Sequence, residues 1–256
     1  MALLPRLRTF VLRSPYLMFA IRSLQRLRHG QGPSRAALRN AGYTRQTRQV
    51  MTRVLRADSN CIDGGAHVGA VLDLMCELAP AGRHHAIEPL PHLNAALERK
   101  FPRVTVHGCA LGDVAGRASF KHVVNAPAYS GLRERAYAVR DPRIVGIEVT
   151  VARLDDLIPA GEPIAFIKLD LEGGEYHALV GGAATIRRCR PVIVFEAGGR
   201  STGHYSVTGD MIFQLVTEQL ALRLSTMKRW LRGQPGFDRA EFLKAYETEF
   251  MFIAYP

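Results

Sequence analysis

The sequence predicts an α/β fold, a mostly parallel sheet wrapped by helices, behind a basic helical extension. Three observations carry this. From Asp58 onward, short apolar runs end in turns and lead into amphipathic segments. That alternation implies parallel strands joined by right-handed crossovers. The run Ile164-Ala165-Phe166-Ile167 is apolar throughout, as in a strand buried on both faces. The chain closes on a strand-like run, Phe250 to Tyr255, placed after a strand and a helix pattern.

The extension comes first. Leu3, Leu7, Phe10, Leu17, Ile21 and Leu24 recur at helical spacing, with Arg6, Arg8, Arg13, Arg22 and Arg26 between them. Two helices are expected, at 2–13 and 15–28, the second opened by Ser14 as cap and Pro15 at its first position. A Gly/Pro/Ser linker follows at 30–35, then another basic helical piece through Arg56. Residues 1–56 contain twelve Arg and no Lys, Asp or Glu, a charge of +12, whereas 57–256 carry 22 basic and 23 acidic residues. The net +11 therefore belongs to the extension, and the expected division is 1–56 and 57–256. A near-neutral domain argues against a nucleic-acid enzyme, which carries basic charge around its active face. The extension has three readings: peripheral contact with an anionic membrane through 1–28, an organellar presequence, or a lid or dimer element packed on the domain.

In the domain, Asn60 to Asp63 reads as a strand running into Gly64-Gly65-Ala66-His67-Val68-Gly69. Val68, Val71, Leu72, Met75 and Leu78 mark a helix ended by Pro80. Arg83 to Glu88 is the second strand, Pro91 to Lys100 a helix with proline at its start, and Val104 to Gly108 the third strand. Strands are expected at 116–124 and 147–151, with an irregular loop over 125–146 between them. The fourth core strand is the apolar run at 164–167, and Glu175 opens the helix behind it. Pro191 to Glu196 is the fifth strand, and a helix over 208–219 leads to a strand at 222–226. A last helix at 238–247 precedes the closing strand.

Cys61, Cys76, Cys109 and Cys189 are scattered without a CxxC pair, which points to a reducing, cytoplasmic setting and away from a disulfide framework or a zinc site. No apolar run approaches the ~18 residues of a membrane span.

Chemistry concentrates in three places. The turn after the first strand has glycines that admit a close ligand, but neither the GxGxxG spacing nor a GK[ST] for phosphates. Asp63 before it would repel a pyrophosphate and suits a ligand with positive charge. Glu88 ends the second strand, where an acid accepts hydrogen bonds from ribose hydroxyls. Lys168, Asp170 and Glu172 occupy alternate positions at the end of the fourth strand and are expected to leave on one face. The bland alternative is a solvated turn with one ion pair. His84, His85 and His177 read as core or surface histidines.

Together these segments resemble the FkbM family of S-adenosylmethionine-dependent methyltransferases. The similarity rests on Cys61-IDGGAHVG-Gly69, Ala86-IEPLPHLNAAL-Leu97, Ala110-LGD-Asp113, Tyr129-SGL-Leu132, Val149-TVARLDDL-Leu157, Ile164-AFIKLDLEGGEYHALVGGA-Ala183 and Pro191-VIVFE-Glu196. Gly64 and His67 depart from it, standing where the family more often has an aliphatic residue and asparagine.

The resemblance implies a class I methyltransferase fold, a Rossmann-like three-layer sandwich with a seven-stranded sheet whose last strand is antiparallel. It implies S-adenosylmethionine as cofactor, framed by Asp63, Gly64, Gly65, Ala66, His67 and Gly69. Glu88 and Pro89 would lie at its ribose, and Ala110, Leu111 and Asp113 near its adenine. The implied acceptor is a hydroxyl of a sugar, glycolipid or secondary metabolite, methylated on oxygen. Asp170 and Glu172 are the first candidates for base, with Lys168 orienting one of them and Glu196 as a further candidate. Tyr129, Ser130 and His204 are candidate substrate contacts. The Asp170/Glu172 pair could also hold a divalent cation, with no third ligand identifiable. Two alternatives stand beside this: methylation of RNA or protein, and a non-catalytic membrane-associated scaffold of the same fold.

Overall fold

The computed structural model describes residues 35–134, 137, 141–198 and 202–256. The chain divides into two compact units, 1–46 and 47–256. The two helices expected at 2–13 and 15–28 lie outside the described residues. The described part of the first unit belongs to helix α1 (Arg35–Val54), where Thr44 Oγ1 donates back to the Asn40 carbonyl. From Thr47 onward α1 is part of the second unit: Val50 and Met51 are fully buried, and Arg53 donates to the Leu231 carbonyl at 2.7 Å.

The second unit continues with β1 (Cys61–Gly64), α2 (Ala70–Leu78), β2 (His84–Ile87), α3 (Pro91–Lys100), β3 (Thr105–His107), β4 (Ala110–Leu111) and β5 (Gly116–Val123). A 3-10 turn at Pro127–Tyr129 precedes β6 (Ile144–Ala152), α4 (Leu154–Leu157), β7 (Phe166–Leu169), α5 (Glu175–Gly181), α6 (Ala183–Cys189) and β8 (Val192–Glu196). A second 3-10 turn at Thr202–Tyr205 leads to α7 (Gly209–Gln214), which runs on as a π-helical turn over Leu215–Gln219. β9 (Arg223–Thr226), α8 (Met227–Leu231), α9 (Arg239–Tyr246) and β10 (Met251–Tyr255) complete it.

Seven strands form one sheet in the order β3-β2-β1-β7-β8-β10-β9. β10 is antiparallel to both neighbours, whereas the β3-β2-β1-β7-β8 pairings are parallel. This is the class I methyltransferase architecture the sequence predicts. The central parallel strands are buried on both faces: all four residues of β1, of β2 and of β7 are buried, whereas β3 at the edge is partly exposed. The core centres on Phe195, Phe252 and Phe242, whose rings meet in sequence at 6.3 and 5.1 Å between centroids. Thr208 and Thr226 cap α7 and α8, and Asp238 forms a reciprocal capping box with Glu241 at the start of α9.

The strands expected at 116–124 and 147–151 are present as β5 and β6, and with β4 they form a second sheet of three strands, β4-β6-β5. β6 begins at Ile144, earlier than the strand expected at 147, and pairs antiparallel with β5 over its length. The loop between them is therefore shorter than the sequence pattern suggested. Phe120, Val149 and Val151 turn inward from this sheet onto Leu90 and Ala110.

His85 and His107 are stacked at 5.4 Å, with His85 Nδ1 3.1 Å from His107 Nε2 and His85 Nε2 3.1 Å from Glu162. His85 and Glu162 are buried, so this chain satisfies polar groups inside the fold.

Candidate functional site

The glycine turn after β1 packs directly against the end of β7. Gly65 has φ 76°, and a Cβ there would lie 2.1 Å from the Asp170 carbonyl oxygen. Only glycine combines that backbone conformation with that approach. Its N–H and that of Ala66 donate to the Ile87 carbonyl at 2.9 and 3.1 Å, and the Asp170 N–H donates to the Gly64 carbonyl at 3.0 Å. The turns after β1, β2 and β7 are thus stitched together through their backbones.

Glu88 completes the stitching with its side chain. One carboxylate oxygen accepts the His67 N–H at 2.9 Å, and the other accepts the Leu90 N–H at 2.9 Å. Burial raises its pKa, and these two N–H groups work against that rise. Each oxygen keeps a lone pair for a hydroxyl donor.

Beneath the turn lies an acid-rich interior. Asp63 is 2% exposed, and its Oδ2 has no hydrogen-bond partner. Burial pushes its pKa up to about 7; Lys168 opposes this, and Asp170 and Glu88 add to it. Lys168 lies within β7 and is buried, with Nζ 2.9 Å from Asp170 Oδ2. Burial disfavours its charge, but Asp170, Asp63 and Glu196 outweigh burial and raise its pKa. The expected emergence of three charges on one strand face is therefore corrected. β7 ends at Leu169, Lys168 stays inside the sheet, and Glu172 adopts φ 57° in the turn that follows.

A cleft opens at this end of the sheet, with about 570 Å³ of empty space including its mouth. Ile87, Leu90, Ala110, Leu111 and Phe120 make one apolar wall; Gly65, His67, Glu88, Asp170 and Glu172 make the polar one. Pro89, Ala128, Ser130 and Leu132 also face it. Ser130 is fastened by accepting the Val123 N–H at 3.0 Å. The combination fits S-adenosylmethionine: apolar surface for a purine, an acid for ribose hydroxyls, and carboxylates near a cationic sulfonium.

The other expected site residues do not line the cleft. Asp63, Gly64, Ala66 and Gly69 are buried and shape the turn from behind. Asp113 is turned away, its Oδ2 3.0 Å from His177 Nδ1. Tyr129 sits in the 3-10 turn beside Ser130, and His204 is exposed on the 3-10 turn after β8. Glu196 lies at the end of β8, near Lys168 and Glu175. No group of three or more His, Cys, Asp or Glu among the described residues is arranged to hold a metal ion, and no described helix is long and apolar enough to cross a membrane.

One acid was missed. Glu175 is 1% exposed; its Oε1 accepts the Leu171 N–H at 2.6 Å, and its Oε2 has no partner among the described residues. Burial pushes its pKa up to about 8, with Glu196 and Asp170 adding like charge. In sequence it is an ordinary acid in a first helical turn, a position where exposed acids are favourable, so nothing there signalled burial.

The chain is similar to known methyltransferases. The family profile of the methyltransferase FkbM domain matches residues 63–220. Among solved structures, the FkbM methyltransferase of Methylobacillus flagellatus KT is similar at 20% identity and a TM-score of 0.49, over 79% of this chain and 45% of that one. The chain thus spans less than half the length of that relative. A TehB-like SAM-dependent methyltransferase of Corynebacterium glutamicum aligns at 13% identity and a TM-score of 0.42, over 92% of this chain and 94% of that one. An O-methyltransferase of Bacillus cereus in complex with SAH aligns at 12% identity and a TM-score of 0.43, over 83% and 81%. No curated protein matches significantly.

Proposed function

The chain belongs to the FkbM family of S-adenosylmethionine-dependent methyltransferases, and from that premise we propose that it methylates oxygen, on a hydroxyl of a sugar, glycolipid or secondary metabolite. The observation that carries this reading is the Asp170 carboxylate, which lines the same cleft as Glu88 and the apolar wall and is tied to a buried lysine.

The bound cofactor supplies an activated methyl group on sulfur. Ile87, Leu90, Ala110 and Leu111 would hold its purine and exclude water, and Glu88 would accept from its ribose hydroxyls. Asp170 accepts the proton of the acceptor hydroxyl, a role that requires a carboxylate within hydrogen-bond reach of that oxygen. Lys168 fixes one Asp170 oxygen at 2.9 Å and so orients the carboxylate toward the cleft it lines. The turn restrained by Gly64 and Gly65 holds this carboxylate in place, so alignment is prepaid by the fold. Glu172 borders the same space and is the second acid available to the acceptor. The segments from 114 to 148 and 197 to 207 supply acceptor selectivity in this reading. The near neutrality of 57–256 supports a small-molecule or glycan acceptor over a nucleic acid.

The test is methyl transfer from methyl-labelled cofactor to fractionated lipids and polysaccharides of the source organism. Label on a hydroxyl oxygen of a lipid, glycan or metabolite is the expected result. Label confined to RNA, to protein or to nitrogen overturns the proposal.

A further inference from the structure

The turn from Asp170 to Gly174 carries two of the acids that line the cleft, and it is held in an unfavourable conformation. Glu172 has φ 57° and Gly173 φ 105°, and a left-handed non-glycine residue persists only where its surroundings enforce it. Enforcement comes from two sides. In front, the Gly64 carbonyl takes the Asp170 N–H at 3.0 Å. Behind, Glu175 Oε1 takes the Leu171 N–H at 2.6 Å.

The rear clamp is chemically unusual. Glu175 is 1% exposed, and its Oε2 reaches no donor among the described residues. The groups facing it are Glu196 from β8, Asp170 from the end of β7 and the Tyr205 hydroxyl from the turn before α7. Lys168 donates to Asp170 and not to Glu175, whose charged form is favoured only by the backbone N–H groups of Leu171 and Glu175. A carboxylate at this position would be buried, flanked by like charge and half unsatisfied, which is a costly state.

We infer that Glu175 is a positioning residue for the cofactor cleft: an uncharged carboxyl that clamps the Asp170–Gly174 turn and releases it on ionising. Ionisation requires water at Oε2, and water reaches it only if the first turn of α5 opens. The floor of the cleft, formed by Asp170, Leu171, Glu172 and Gly174, then loses its rear support. Cofactor affinity becomes proton-linked through a residue that touches neither cofactor nor acceptor. The inference rests on the cofactor cleft described above and is independent of the acceptor.

The experiment is calorimetric titration of the full chain with S-adenosylhomocysteine from pH 6 to 9, for wild type, Glu175→Gln and Glu175→Ala. Glutamine keeps the oxygen that accepts from Leu171 and cannot ionise. The affinity of wild type relative to Glu175→Gln is expected to fall about fivefold or more between pH 6 and 9, and Glu175→Ala to bind more weakly than Glu175→Gln at every pH. Parallel pH curves for wild type and Glu175→Gln overturn the inference and leave the cofactor cleft standing. Absence of binding to wild type at any pH overturns the cleft itself, and the inference with it. Thermal melting gives an independent readout if Glu175→Ala fails to fold. The melting temperature of Glu175→Gln minus that of wild type is expected to grow as pH rises from 5 to 8, and a constant difference overturns the inference.

Discussion

Lys168 Nζ lies 2.9 Å from Asp170 Oδ2, joining a side chain 7% exposed to one 45% exposed. A single ion pair therefore connects the interior of the sheet to the wall of the cleft.

Replacing Lys168 by methionine keeps most of the side-chain volume and removes the charge. Asp63, Asp170 and Glu196, all of which act on Lys168, then lose their shared cation. Breaking a fully buried pair from one side costs about 3–5 kcal/mol, and because Asp170 is 45% exposed the cost here is reduced to about 1–3 kcal/mol. Denaturant unfolding of Lys168→Met is expected to show a loss of that order, and unchanged stability would mean that the acids are neutralised some other way.

Asp170→Asn preserves shape and removes the proton acceptor. Turnover is expected to drop by about two orders of magnitude or more, while S-adenosylhomocysteine affinity stays within a few-fold, because apolar contacts and Glu88 supply most of that binding. Initial rates with methyl-labelled cofactor, beside calorimetry, separate the two quantities. Full turnover would transfer the base role to Glu172 or Glu196.

Glu88→Ala removes the acceptor for two backbone N–H groups as well as for the ribose. Hydrogen bonds to a charged group contribute about 1.5–3 kcal/mol, so cofactor affinity is expected to fall about tenfold or more. Calorimetry checks this. Affinity equal to wild type would place the ribose elsewhere.

Asp63 sets a pH dependence of stability. Its folded pKa of about 7 lies above the ordinary aspartate value of 3.8. The native state thus binds a proton that the unfolded chain gives up, and stability drains away as pH rises from about 4 to about 7. Asp63→Asn is expected to gain on wild type across that window, by up to a few kcal/mol, and then level off. Urea unfolding of both proteins from pH 4 to 8 measures the difference, and a gap that does not change with pH would contradict it.

The large sheet was legible because short strand-like runs alternate with turns and amphipathic helices, even though β1, β2 and β7 hold Asp63, His84-His85 and Lys168. Glu88 and Asp170 were legible because they end such runs. The small sheet was half hidden, since β4 has only two residues and two residues carry no periodicity. Asp113 sits in a segment that reads as an adenine contact, yet the side chain that claims it, His177, is 64 positions away. Glu162 and His85 meet across 77 positions, a distance over which local pattern says nothing. Glu175 shows the same limit at short range: its position in a helix is plain, but its burial depends on β8 and the turn before α7.

The small sheet leaves the main body and returns to it at almost the same point. Ala110 pairs with Val151, Leu111 with Ala152, and the Gly112 N–H donates to the Ala152 carbonyl at 3.1 Å. Strands β5 and β6 therefore leave and rejoin the body through that closed neck. Phe120, Val149 and Val151 fold this excursion back onto Leu90, next to the mouth of the cleft. Phe120, Ala128, Ser130 and Leu132 belong to this excursion and face the cleft, so one wall of the cleft is built by chain that lies outside the seven-stranded sheet.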